Sequence, residues 1–261
     1  MPRRRTTEGA TQARRRAGAK KQPSQADLSS IVSSVSQTVY ESLGLETYGI
    51  AVDDLKAIVS DMIYAIAEGR SSKLTSEIAL KKIMVAKDNI MKALAVMILS
   101  RGGRLTREQL EFVVSYAPEA AGKAAPYLYQ EAKRLGADDV IQTLRTLWAQ
   151  YGRATPVECP RCGFRAVTPD LTCMICGAQL TERELKEHMG FSRLLIETAR
   201  RLHPRLVEEI ISAGYVVLDG EIHPPSLAPR GTYALTIHLS KAEKESLRSL
   251  IRGAQGPAQG G

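Results

Sequence analysis

The stretch VECPRCGFRAVTPDLTCMICGAQL, residues 157–180, constrains this chain more than any other. It holds all four cysteines, in two pairs of the form C-x-x-C-G: Cys159/Cys162 and Cys173/Cys176. Two residues between thiols set both sulfurs on one tight turn. The glycine that follows each pair, Gly163 or Gly177, can take the positive φ that aims the turn's amides at sulfur. Two such knuckles supply four ligands, the number a closed tetrahedral site needs. Between them GFRAVTPDLT can form a short hairpin, bending at Thr168-Pro169-Asp170, that brings the knuckles together.

Four thiols can serve other chemistry. Disulfides are disfavoured by the lack of a secretion signal and by only four cysteines in a chain of 261 residues. A thioredoxin-type redox pair sits at a strand-to-helix junction and needs no second pair. A rubredoxin-like iron site uses the same knuckles, with aromatic packing that this stretch lacks, since Phe164 is its one aromatic. Ligand number and type point to one structural Zn2+ on Cys159, Cys162, Cys173 and Cys176. A hairpin of this size buries too little apolar surface to fold alone. Metal binding, worth on the order of 10 kcal/mol in apparent terms, offsets that deficit. No fifth ligand or open position is suggested, which argues against hydrolytic zinc.

The residues Cys159-Pro160-Arg161-Cys162-Gly163 and Cys173-Met174-Ile175-Cys176-Gly177 resemble the zinc-ribbon family, in which paired CPxCG knuckles at the ends of a β-hairpin clamp one zinc. The resemblance covers residues 157–180 and implies a stubby hairpin, because the separation between knuckles is short for such ribbons. It specifies metal far better than function, since ribbons occur in transcription factors, polymerase subunits, ribosomal proteins and enzymes.

Charge is the second strong feature. Residues 1–22 carry Arg3, Arg4, Arg5, Arg14, Arg15, Arg16, Lys20 and Lys21 against Glu8 alone, a net of +7, while the rest holds 28 basic and 27 acidic residues. The chain therefore reads as a near-neutral body with a cationic arm, residues 1–25, that has no hydrophobic period and is expected to be disordered. Such an arm tracks phosphate without a fold.

The body divides by periodicity. Leu28, Ile31, Val32, Val35, Val39 and Leu43 lie on one helical stripe that stops at Gly44, and Leu55, Ile58, Val59, Met62, Ile63 and Ile66 repeat it up to Gly69. One long helix is predicted from about Ser76 to Ser100, another after the capping box Thr106–Gln109, and two more near 119–134 and 138–150. Residues 26–152 thus read as an all-α domain and residues 155–180 as the ribbon. Residues 181–252 read as a small α+β module, followed by a flexible tail, 253–261. In that module Thr181–Glu184 caps a helical run through Ala213, broken at His203-Pro204. YVVL-DG-EIH then forms a hairpin with a type I′ turn, YALTIHL a third strand, and Ser240 opens the last helix. The fold class is mainly α, α+β overall.

Catalytic signatures are absent from the sequence: no H-E-x-x-H, G-x-S-x-G, P-loop or G-x-G-x-x-G occurs, and His188, His203, His223 and His238 are scattered. His223 and His238 fall on strands expected to be adjacent, where they read as polar faces of a half-exposed sheet. No apolar run is long enough to cross a membrane, and no small-molecule substrate is indicated. The expectation is an intracellular, cytoplasmic, non-enzymatic zinc protein that contacts DNA or RNA through its arm, with Arg161 and Arg165 on the ribbon as candidate base readers. The alternative is a zinc-ribbon adaptor that binds a protein partner in a transcription, replication or ribosome-associated assembly.

Overall fold

The computed structural model describes residues 24–69, 74–228 and 235–254. The arm and its cations, the strand residue Tyr233 and the end of the tail lie outside the described residues. Within them are twelve α-helices, two short 3-10 turns and one three-stranded antiparallel sheet, so the chain is mainly α with a small α+β part. The chain forms two compact units, residues 1–94 and 95–261. The run read as 26–152 is divided between them.

In the first unit, α1 (Gln25–Ser42) begins at a capping box in which Ser24 and Asp27 satisfy each other's backbone amides. Its stripe of Leu28, Ile31, Val32, Val35 and Val39 is buried against α2 (Val52–Glu68) and α3 (Ser76–Val85). Leu55, Val59 and Ile63 are the buried positions of α2. The helix expected over 76–100 is two helices, because α3 ends at Val85 and α4 runs Lys87–Arg101 after a turn at Ala86. The break holds neither glycine nor proline, so periodicity carries no mark of it. Val85 stands 88% exposed there.

In the second unit, α5 (Arg107–Tyr116) starts at the expected Thr106–Gln109 capping box. The single helix predicted near 119–134 is also two, α6 (Pro118–Lys123) and α7 (Ala125–Leu135). Pro126 is the cause: it has no N–H to give the Gly122 carbonyl, and its ring would strike that carbonyl in a continuous helix. The break has a use. Gly122 lies so close to α8 (Asp138–Tyr151) that a Cβ there would stand 2.5 Å from the Leu147 carbonyl oxygen and 2.8 Å from Tyr151 Cβ.

After the ribbon come α9 (Glu182–His188), opened by the Thr181–Glu184 capping box, then α10 (Phe191–Arg201) and α11 (Pro204–Ala213). The His203-Pro204 break is where the sequence places it, with His203 Nδ1 accepting from the Arg205 amide. A further break falls at Gly190, which is left-handed. The sheet runs in the order β2 (Glu221–His223), β1 (Tyr215–Leu218), β3 (Leu235–Ile237). Val217 of β1 faces Ile222 on one side and Leu235 on the other. Asp219 and Gly220 both have positive φ, as a type I′ turn requires. His223 and His238 therefore do not sit on adjacent strands: β1 lies between β2 and β3, because hairpin pairing and the long return to β3 both use its edges. The last helix, α12 (Lys241–Ala254), buries Leu247 and Ile251 and extends past the expected end at Arg252.

Gly122→Ala should destabilise the protein by about 1–3 kcal/mol, because its methyl group must displace α8 backbone. Gly253→Ala, in open space in α12, should be neutral or stabilise by up to about 1 kcal/mol. Urea denaturation of the two variants measures the contrast.

Candidate metal centre

The ribbon is a meander of short paired segments. Thr155 N donates to Arg165 O (2.8 Å) and Cys159 N to Phe164 O (2.9 Å), so the first knuckle tips one hairpin. Cys173 N donates to Ala178 O (2.9 Å), so the second tips another. Thr168 N donates to Thr172 O (2.9 Å) and Leu171 N to Thr168 O (2.9 Å), which forms the bend predicted at Thr168-Pro169-Asp170. Leu171 takes a positive φ of 66° there. The Asp170 carboxylate accepts from both Thr168 and Thr172 hydroxyls, which hold it below the usual carboxylate range.

Both knuckles have the geometry their glycines imply. Gly163 and Gly177 have φ of 72° and 69°. Their amides donate to Cys159 O (2.8 Å) and Cys173 O (2.9 Å). The amides of Arg161 and Cys162 donate to the Cys159 sulfur, that of Phe164 to the Cys162 sulfur, and those of Ile175 and Cys176 to the Cys173 sulfur.

The four sulfurs lie within 4.8 Å of one another, with Cys162–Cys173 at 3.6 Å and Cys159–Cys176 at 3.8 Å. A disulfide needs about 2.05 Å. A tetrahedron with metal–sulfur bonds of about 2.3 Å has edges of about 3.8 Å, so the donor set fits a four-coordinate metal ion. Cys159, Cys162 and Cys173 are buried and Cys176 is half-buried. Burial lifts the Cys159 thiol to about 11. The close contact between the Cys162 and Cys173 sulfurs raises the Cys162 thiol and lowers that of Cys173.

Helices outside the motif hold the ribbon. Arg145 of α8 donates from Nη2 (2.7 Å) and Nε (3.1 Å) to the Cys162 carbonyl. One turn on, Trp148 Nε1 donates to Arg165 O (2.8 Å). Phe164 is buried beneath the Arg145 guanidinium, 5.9 Å from its centroid, and meets Tyr129 of α7 edge-on at 5.5 Å. A Cβ on Gly163 would stand 2.5 Å from the Arg145 guanidinium carbon, so a side chain there would push the guanidinium aside in addition to straining the positive φ. The aromatic surroundings that residues 157–180 lack are thus supplied from α7 and α8. None of Tyr129, Arg145 and Trp148 was marked by the sequence. The available signal was the single tryptophan, three residues from an arginine on one face of a helix.

The two ribbon arginines are engaged within the fold. Arg161 Nη2 pairs with Glu184 (2.8 Å), the carboxylate that also closes the α9 capping box. Arg165 pairs with Asp219 in the β1–β2 turn and donates from Nε to Thr155 O (3.3 Å). His188 Nε2 lies 3.7 Å from Glu158 and His223 Nε2 lies 3.7 Å from Glu221, both beyond hydrogen-bond length. Among the described residues no helix is long and apolar enough to cross a membrane.

Metal binding must displace the protons that the raised Cys159 and Cys162 thiols hold near neutral pH. Apparent affinity should therefore rise with pH from 6 to 8, by about two or more log units per unit, in competition with a chromogenic chelator. Arg145→Ala should weaken metal binding about 10- to 100-fold, as loss of a group orienting a ligand does, and should lower the melting temperature of the loaded protein. The chain matches no protein-family model, no curated protein and no solved structure, so the four-cysteine cluster stands as a compatible metal-binding knuckle pair without a family assignment.

Proposed function

We propose that this protein is a non-enzymatic zinc-binding factor that associates with nucleic acid through its cationic N-terminal arm. The observation that carries this reading is the placement of charge: +7 over residues 1–22 beside a body near neutrality. Arg3, Arg4, Arg5, Arg14, Arg15, Arg16, Lys20 and Lys21 neutralise phosphates, an interaction that is insensitive to sequence and steeply sensitive to salt. One Zn2+ holds the ribbon. Four buried or half-buried thiols, three of which accept knuckle amides, suit zinc as a structural ion, and a full set of four sulfur donors leaves no open position for a substrate. The same reduced thiols favour a reducing compartment such as the cytoplasm.

The ribbon serves as a staple in this reading. Arg161 and Arg165 already have carboxylate partners on α9 and in the β1–β2 turn. Reaching a base edge would require breaking those pairs. That commitment also supports a second reading, in which the body is an adaptor for a protein partner and the arm tunes solubility.

A pulldown from native lysate separates the two, using full-length protein and protein lacking residues 1–24, each with and without nuclease. The nucleic-acid reading predicts loss of captured material on nuclease treatment and on arm deletion. The adaptor reading predicts a protein partner that survives both. For the full-length protein on duplex DNA, log affinity should fall with log salt at about 0.9 for each phosphate engaged.

A further inference from the structure

Many arginines in the second unit have partners within it. Arg107 pairs with Asp139 and Glu111, Arg134 with Glu131, Arg161 with Glu184, Arg165 with Asp219, Arg183 with Glu187 and Arg193 with Glu197, while Arg145 holds the Cys162 carbonyl. Other exposed arginines, among them Arg153 and Arg200, make no side-chain hydrogen bond or ion pair with a described residue, but three such arginines share one groove, of about 590 Å³, between the first turn of α11 and the end of α12. It is lined by Pro204, Arg205, Glu208, Arg248, Ile251 and Arg252. The three arginines are exposed, and none makes a side-chain hydrogen bond or ion pair with a described residue. Arg248 and Arg252 stand one turn apart on α12, where like charges repel. Glu208 is the one acid in the lining and pairs with none of them.

We infer that this groove is a phosphodiester-binding site that holds the backbone of a nucleic acid. Three arginines that line one concavity, none paired with a described residue, keep their forked donors for an external acceptor, and a phosphate matches that fork in shape and charge. The groove has no aromatic side chain on which a base could stack, so it fits the sugar–phosphate backbone and carries no sequence preference. A lipid surface fits it poorly: Leu247 and Ile251 of α12 are buried in the fold and Leu250 is half-buried, so little apolar surface is left on this helix to enter a bilayer. The groove would give the folded body its own grip on the polymer that the arm tracks. The inference rests on the nucleic-acid reading above and deepens it.

The test uses the full chain and a fluorescent duplex DNA of about 30 base pairs, with anisotropy read across a salt series. Arg205→Gln/Arg248→Gln/Arg252→Gln should weaken binding and lower the slope of log affinity against log salt by about 2 to 3, near 0.9 for each phosphate that is no longer neutralised. Lys81→Gln/Lys123→Gln/Arg183→Gln removes the same net charge from cations already paired with Glu77, Glu119 and Glu187, and should leave the slope unchanged. Glu208→Gln removes the opposing carboxylate and should strengthen binding severalfold, a gain that misfolding cannot mimic. If wild-type protein binds but the groove variant behaves like the control triple and Glu208→Gln has no effect, the groove inference is overturned while the arm reading stands. If wild-type protein does not bind duplex DNA or duplex RNA at low salt, the nucleic-acid reading fails and takes the groove with it.

Discussion

Four cysteine sulfurs within 4.8 Å of one another, three of them buried, are the constraint from which the second unit is organised. Such a cluster cannot be filled with thiolates unless a cation neutralises them, because each added negative charge raises the cost of the next. Protons do this only partially. A divalent ion does it completely and fixes the geometry as well. The ribbon's pairing is slight, with isolated bridges at Glu158–Arg165, Val167–Cys173 and Thr172–Gln179. Packing onto neighbouring helices therefore carries much of its order.

Those neighbours show why the ribbon occupies the middle of the unit rather than a free end. It meets α7 and α8 through Phe164, Tyr129 and Trp148, and the two Arg145 donors hold the carbonyl of the first knuckle. It also reaches α9 through Arg161 and the β1–β2 turn through Arg165. These two ion pairs are exposed and contribute little energy on their own. The half-buried Arg145 hydrogen bonds and the aromatic packing contribute more, since they desolvate their groups. The ribbon thereby joins the helices before it to the α+β module after it.

Much of this was legible in the sequence, for definite reasons. The knuckles were, because C-x-x-C-G encodes a turn whose spacing and glycine leave few conformations. Helix starts marked by reciprocal caps, at Thr106, Thr181 and Ser240, were legible because the cap is local chemistry. The β1–β2 hairpin was legible because Asp219-Gly220 suits one turn type. What escaped was set by tertiary packing. The break at Ala86 has no breaker residue, whereas the break before Pro126 is local and was marked by the proline itself. The approach of Gly122 to α8, and of Arg145 to Gly163, depends on residues 25 and 18 positions apart in sequence. The strand order placed β1 between His223 and His238, an outcome that hairpin pairing determines only once the path of the third strand is known. The placement of Arg161 and Arg165 on the ribbon was legible, whereas their ion-pair partners on α9 and at Asp219 were not.

The central claim is that one zinc ion is bound by the four cysteine sulfurs and by nothing else. X-ray absorption at the zinc edge, on full-length protein purified without added metal, tests it most directly. The account predicts one zinc per chain with a first shell of four sulfurs at about 2.3 Å. A shell containing nitrogen or oxygen, or protein that carries no zinc and has its cysteines oxidised in pairs, would contradict it.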